Sequence, residues 1–208
     1  ASERRRPARR RKDQPSPLLD SVLEWLHKLG LVEDFYLRAI DEGQRFYETR
    51  VRISESTVDD SIADVGFGVS QVLPIITQLF FVPEGSIVLL EQPEIHLHPS
   101  AQSELADLFL TVAEERGLQL IIESHSEYLL TRLQRRIAEA DYILATPDKI
   151  RLYFCEVAVQ GFQISQVETN LFGEIINWPD NFFGDQVGDL DAMTQAGIQR
   201  RRESLARE

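Results

Sequence analysis

Two short apolar runs constrain this chain more than anything else in it. In "SIVLLE" the residues Ile87 to Leu90 lead into Glu91, and in "LQLIIES" the residues Leu118 to Ile122 lead into Glu123. The first run is apolar throughout, the second is interrupted only by Gln119, and both are partly β-branched, which predicts strands buried on both faces. Between them Ala101, Leu105, Leu108, Phe109 and Val112 recur at helical spacing up to Gly117; after the second run Leu129, Leu130, Leu133 and Ile137 do the same. Strand, helix, strand, helix predicts parallel strands with a right-handed crossover. Such sheets place ligands beyond the carboxyl ends of their strands, where Glu91 and Glu123 fall. The first end also carries Gln92, Glu94, His96 and His98. Ionised groups against a core must be paired, hydrated or bound to a cation, so this end is the first candidate site.

The flanks add further elements. "SPLLDSVLEWLHKLGL" has helical spacing through Leu18, Leu19, Val22, Leu23, Leu26 and Leu29, and Gly30 stops it. "QRFYETRVRI" alternates Tyr47, Thr49, Val51 and Ile53 with polar neighbours, as a strand with one wet face does. "ADVGFGVSQVLPIITQLFF" reads as a turn at Gly66 and Gly68 leading into a helix with Pro74 in its first turns. "KIRLYFCEVAVQGFQISQVE" reads as two antiparallel strands joined near Gly161, and "LFGEIINWPDNFF" as a Pro-bent closing segment. The single cysteine, Cys155, has no internal disulfide partner and is expected to be a small core residue.

Composition excludes several classes. With 208 residues, 43% hydrophobic and 27% charged, the chain has the ordinary soluble mix and room for one sizeable core with appendages. No apolar run reaches bilayer length and "ASERRRPARRRKDQP" lacks a signal peptide's apolar centre, so no membrane association and a cytoplasmic location are expected. The net charge is −12 although Arg4, Arg5, Arg6, Arg9, Arg10, Arg11 and Lys12 crowd the first residues. The acidic body argues against broad nonspecific nucleic-acid affinity and leaves local binding open; the arm reads as solvated and disordered.

Three patterns follow one another in order: a Gly-x-Gly turn before a helix, a buried strand ending in Glu, and a second ending in Glu-Ser-His. In "GFGVSQVLP", "LLEQPEIHLHP" and "ESHSEYLL" the chain resembles the C-terminal half of an ABC-type ATPase head, as in structural-maintenance-of-chromosomes (SMC) and overcoming-lysogenization-defect proteins. The match is closest to a group of prokaryotic ATPases whose C-terminal region is a domain of unknown function, with phage-defence modules among its relatives. The resemblance covers about Ser16 to Phe183. It implies that Glu91 is the Walker B acid holding Mg²⁺ and that His125 is the switch histidine reaching the γ-phosphate of ATP. Gly66, Gly68, Ser70 and Gln71 would form the signature loop facing a nucleotide on the opposite subunit, and His96 to Ser100 the D-loop at a homodimer interface.

The chain departs from that pattern in three places. Gln92 stands where a catalytic glutamate is usual; it can orient water but not take its proton, so turnover is expected to be slow, unless Glu94 or Glu123 serves as base. The signature lacks Leu-Ser-Gly-Gly, with Gly66 at the serine position. No Gly-x4-Gly-Lys-Ser/Thr occurs, since no glycine precedes a lysine. The resemblance places a P-loop before Ala1, so the chain is expected to be a C-terminal fragment, an incompletely represented protein or one half of a split ATPase. It would bind ATP weakly or not at all until an N-terminal P-loop lobe completes it.

The expected organisation is α/β: a basic arm over 1–15, a parallel-sheet ABC-ATPase-like lobe over 16–148, a small β extension over 149–183 and a tail over 184–208. The expected function is an ATP-binding or ATP-hydrolysing lobe that dimerises around Mg·ATP to regulate a partner or effector protein, with phage defence among the contexts. One alternative is a noncatalytic assembly module on the ATPase fold. Another is a metal-dependent hydrolase built on Glu91, Glu94, His96 and His98, with both imidazoles on one side of an extended segment. Asp189 and Asp191 have nuclease-like Asp-x-Asp spacing without a strand to carry it, and Trp178, Pro179, Phe182 and Phe183 read as packing for a terminal segment.

Overall fold

The computed structural model describes residues 16–41, 45–53, 59–158, 161–179, 182, 192–198 and 200–201. The basic arm, Asp189, Asp191 and Phe183 lie outside them.

The first helix, α1 (Pro17–Lys28), starts with proline at its first position, where the missing N–H costs no hydrogen bond. It buries Val22, Trp25 and Leu26 and ends before Gly30, whose φ of +67° suits a residue without Cβ. Three strands follow, β1 (Asp34–Ala39), β2 (Tyr47–Arg52) and β3 (Asp60–Ser61), in one antiparallel sheet of order β1-β2-β3. Only Val51 of β2 is fully buried; Tyr47 and Ile53 stay exposed. The sequence reading missed β1 because every one of its residues is half-buried and none alternates.

The second helix, α2 (Phe67–Phe81), has Gly66 at its N-cap and buries Val69, Val72, Ile76 and Leu79. Pro74 lies well inside the helix, not in its first turns, on an exposed side where its ring meets solvent. Strands β4 (Ile87–Glu91) and β5 (Gln119–Glu123) pair in parallel with Glu91 opposite Glu123. Between them runs α3 (Pro99–Arg116), stopped by Gly117 at φ +62°, and after them α4 (Glu127–Glu139), whose N-cap Ser126 accepts from the Leu129 N–H.

The expectation that β4 and β5 are buried on both faces is wrong for one face. Val88 and Leu90 enter a core with α1, α2 and α3, and Leu120 and Ile122 pack against it. On the other face Ile87 is 61%, Leu89 68% and Ile121 55% exposed. No described element covers that face, although parallel sheets are ordinarily covered on both.

The C-terminal part is an antiparallel hairpin, β6 (Leu152–Ala158) and β7 (Gly161–Val167). Leu152, Phe154 and Val167 face a second core with Leu130 of α4, Ile175 and Phe182. Cys155 is exposed, not a core residue, because it falls on the opposite parity from Phe154. Phe182 stacks near Phe154 and edge-on to Trp178, each with ring centroids 5.3 Å apart, so this aromatic cluster packs the terminal segment. Residues 192–198 are helical and exposed throughout.

Candidate functional site

Parallel pairing decides what meets at the sheet end. Because β4 and β5 run in the same direction and in register, their last residues, Glu91 and Glu123, are neighbours, and both are exposed on the open face. Adjacent strands lie about 4.8 Å apart. Two carboxylates at that spacing repel unless a cation or a donor shares them. His125, two residues past β5, brings its Nε2 to 3.1 Å from Glu123 Oε1, with the two side chains 78% and 51% exposed. Glu91 offers the hard oxygen donor that Mg²⁺ selects, with Glu123 beside it, so the donor set fits that ion.

Gln92 leaves the strand with φ +46°, in the left-handed region that a β-carbon disfavours. Its N–H donates to the Glu123 carbonyl at 2.8 Å, which fastens the loop after β4 to the end of β5. Backbone strain of this kind is held in place by its surroundings and concentrates at functional loops. Glu94 is turned inward and 7% exposed; its Oε1 accepts from the His125 N–H at 2.8 Å. Sequence reasoning treated Glu94 as a spare base or a metal ligand, and nothing in the local pattern signals this tertiary bond.

The glycine loop stands at the start of α2. Gly66, Ser70 and Gln71 are exposed, and Ser70 Oγ donates to the Phe67 carbonyl at 2.9 Å. Gly68 has a steric reason: a β-carbon there would lie 3.3 Å from the His96 carbonyl oxygen and 3.4 Å from Leu97 Cδ2. The glycine loop therefore packs on the loop after β4 through His96 and Leu97. Phe67 is 74% exposed, with its ring 5.8 Å from that of His96.

The residues expected for a metal-dependent hydrolase do not converge. His96 has φ +62°, so its segment is a turn and not the extended stretch that would align the two imidazoles. His98 Nδ1 accepts from the Ser100 N–H and caps α3, while Glu94 points into the protein. Among the described residues no group of three His, Cys, Asp or Glu side chains is arranged to hold a metal ion.

This architecture has known counterparts. Residues 4–131 match the family described as "AAA domain, putative AbiEii toxin, Type IV TA system", and residues 146–193 match "Protein of unknown function (DUF3696)". The chain belongs to this AAA-domain family. Solved SMC ATPase heads share its fold. One, from work on ATP-driven dimerization and DNA stimulated activation of SMC ATPases, is 15% identical with a TM-score of 0.52, over 73% of this chain and 83% of that one. A Pyrococcus furiosus Smc head with an extended coiled coil bound to the C-terminal domain of ScpA is 12% identical, with a TM-score of 0.53 over 73% of this chain and 34% of that one. For a Pyrococcus yayanosii Smc head with a coiled coil and joint the values are 14%, 0.52, 73% and 26%. This AAA-family chain thus spans only about a third and a quarter of the two Pyrococcus chains. No curated protein matches it. Its fold is that of an SMC- and ABC-type P-loop ATPase, α/β with a parallel sheet, and small antiparallel strands follow at the C-terminus. None of the described helices is long and apolar enough to cross a membrane.

Proposed function

We propose that this chain is the lobe of an ABC-type ATPase head that supplies the Walker B acid, switch histidine and signature loop, and that an N-terminal P-loop lobe supplies the phosphate cradle. The observation that carries this reading is the open face of the β4–β5 pair, which ends in Glu91, Glu123 and His125. Ile87, Leu89 and Ile121 present bare aliphatic surface there. Covering it gains about 1.5–3 kcal/mol per side chain, which a docking lobe would recover.

In this reading Glu91 holds Mg²⁺ directly or through water. The ion, bound with ATP, neutralises phosphate charge and orients the terminal phosphate. The imidazole of His125, mostly exposed, moves from Glu123 to donate to a γ-phosphate oxygen. The Gln92 amide orients a water without taking its proton. The backbone N–H groups at Gly66 to Gly68, at the positive end of a 15-residue helix, face the nucleotide of a second copy. Closure of two heads around Mg·ATP then regulates a partner or effector. The family's toxin–antitoxin description supports a defence setting for that output.

Gln92 also favours a second reading, a head that senses ATP without hydrolysing it. Steady-state turnover in the protein joined to its P-loop segment separates the two. The expected result is slow hydrolysis that Glu91→Ala lowers about 100-fold or more, as loss of a central electrostatic group does. Gln92→Glu is expected to raise turnover by about 100-fold, the lower range of a restored general base. Turnover absent from both the native protein and Gln92→Glu, with ATP still bound, would leave the sensing head as the account.

A further inference from the structure

Two loops meet at the candidate site, and they are tied in both directions. The Gln92 N–H donates to the Glu123 carbonyl, and the His125 N–H donates to Glu94 Oε1, each at 2.8 Å. The second tie is the unusual one. Glu94 is 7% exposed, and its other oxygen, Oε2, is shut off from solvent with no hydrogen-bond partner. A buried carboxylate oxygen without a donor among the described residues is costly, and native proteins rarely keep one. No local need explains it: Ser126, not Glu94, caps α4, and the loop after β4 already has the Gln92 tie.

We propose that Glu94 is a positioning residue that holds the backbone of His125 in place, as the pivot about which its imidazole swings. Resting on the ATPase reading above, this assigns the second acid of "EQPE" to setting the histidine's reach toward the terminal phosphate. The charge-assisted bond fixes the pivot, and the 78% exposed imidazole, whose Nε2 lies 3.1 Å from Glu123 Oε1, swings about that pivot when it leaves Glu123. The Leu97 N–H donates to the Glu94 carbonyl at 3.1 Å and the His125 N–H to its Oε1, so a shift of the His96–Leu97 turn passes through Glu94 to His125. That turn is the surface on which Gly68 packs, so the glycine loop, Glu94 and His125 form one contiguous linkage.

The test uses the full-length protein with Glu94→Ala, Glu94→Gln, His125→Ala and the Glu94→Ala/His125→Ala pair. Amide hydrogen exchange at His125 is measured by NMR, and ATP turnover is measured alongside. Loss of a hydrogen bond to a charged group is expected to speed His125 amide exchange about 10-fold or more in Glu94→Ala. Glu94→Gln keeps an oxygen acceptor and is expected to stay within about 3-fold of the native rate. In turnover, Glu94→Ala is expected to lower kcat about 10-fold with the ATP KM within about twofold, and to add nothing once His125 is alanine. The proposal is overturned if folded Glu94→Ala leaves His125 exchange unchanged, or if Glu94→Ala costs as much kcat in the His125→Ala background as in the native one. If the native protein turns over no ATP, the ATPase reading fails on that result, and the exchange measurement still decides the anchor.

Discussion

Gln92 carries a conflict at the scale of one residue. Its left-handed backbone, φ +46°, costs about 1 kcal/mol relative to a glycine, yet a glycine would have no amide to aim at a water. Gln92→Gly is therefore expected to raise the melting temperature slightly while lowering turnover, checked by calorimetry and an ATPase assay on the same preparation. Asp107 shows the opposite economy. It is 5% exposed and receives both Arg136 Nε and Nη2, at 2.7 and 2.8 Å, and Arg132 Nη1 at 3.2 Å. The hydrogen bonds from Arg136 to Asp107, the largest cause, and to Glu139 raise the Arg136 pKa above its usual value against desolvation. Asp107→Ala removes the shared acceptor, while Arg132 keeps Glu104 and Arg136 keeps Glu139 and Asp141, and is expected to cost about 1–3 kcal/mol, read by urea unfolding. Glu91, Glu123 and His125 were legible as a group because each follows an apolar run. Glu94 was not, since its inward turn depends on two left-handed residues, Gln92 and His96, that no local pattern announces.

At the scale of elements, α4 joins the two cores. Its Leu129 belongs to the main core and its Leu130 to the C-terminal one. Gly173 seats the segment after β7 against it: a β-carbon at Gly173 would lie 2.1 Å from the Gln134 carbonyl oxygen, and φ is +76°. Gly173→Ala is expected to release that turn from α4, seen as faster amide exchange over 168–176 with little change in α2 and α3. The far end of α4 is pH-sensitive. The hydrogen bond from Arg135, helped by one from Arg136 and opposed by desolvation, lowers the Glu139 pKa below 4.5. A carboxylate with a lowered folded pKa stabilises the fold above its unfolded pKa and loses that contribution as pH falls through the folded value. Melting curves between neutral and acid pH should show the native protein losing this increment below the ordinary glutamate range, and Glu139→Gln lacking it. Helices were readable from their 3.6-residue period; β1 was not, because it lies half-exposed at a sheet edge and lacks alternation. Cys155 was misread because an apolar run in a two-stranded hairpin has two faces and only one core.

The whole molecule is governed by the open face of β4 and β5. A nearly continuous apolar strand pattern reads as buried on both faces, and the described residues cover one. That mismatch is physical information, since contiguous aliphatic surface on a parallel sheet is ordinarily covered by another layer. Replacing Leu89 and Ile121 with serine is expected to change the stability of this chain by less than about 1 kcal/mol, as for exposed positions generally. The same pair of changes should weaken assembly with a P-loop lobe, measured by co-purification or calorimetry. The fold class was legible because two strands, a crossover helix and their terminal glutamates are local features. The missing cover was not, because burial on the second face is decided by residues that pack there and not by the strand itself.

The measurement that bears most directly on the account is a calorimetric titration of Mg·ATP. It compares this chain alone with the protein carrying a P-loop segment joined before Ala1, each with and without Glu91→Ala. The account predicts no measurable binding by the chain alone, binding by the joined protein, and weaker Mg²⁺-dependent binding or turnover with Glu91→Ala. Tight binding by the isolated chain, or none by the joined protein, would contradict it.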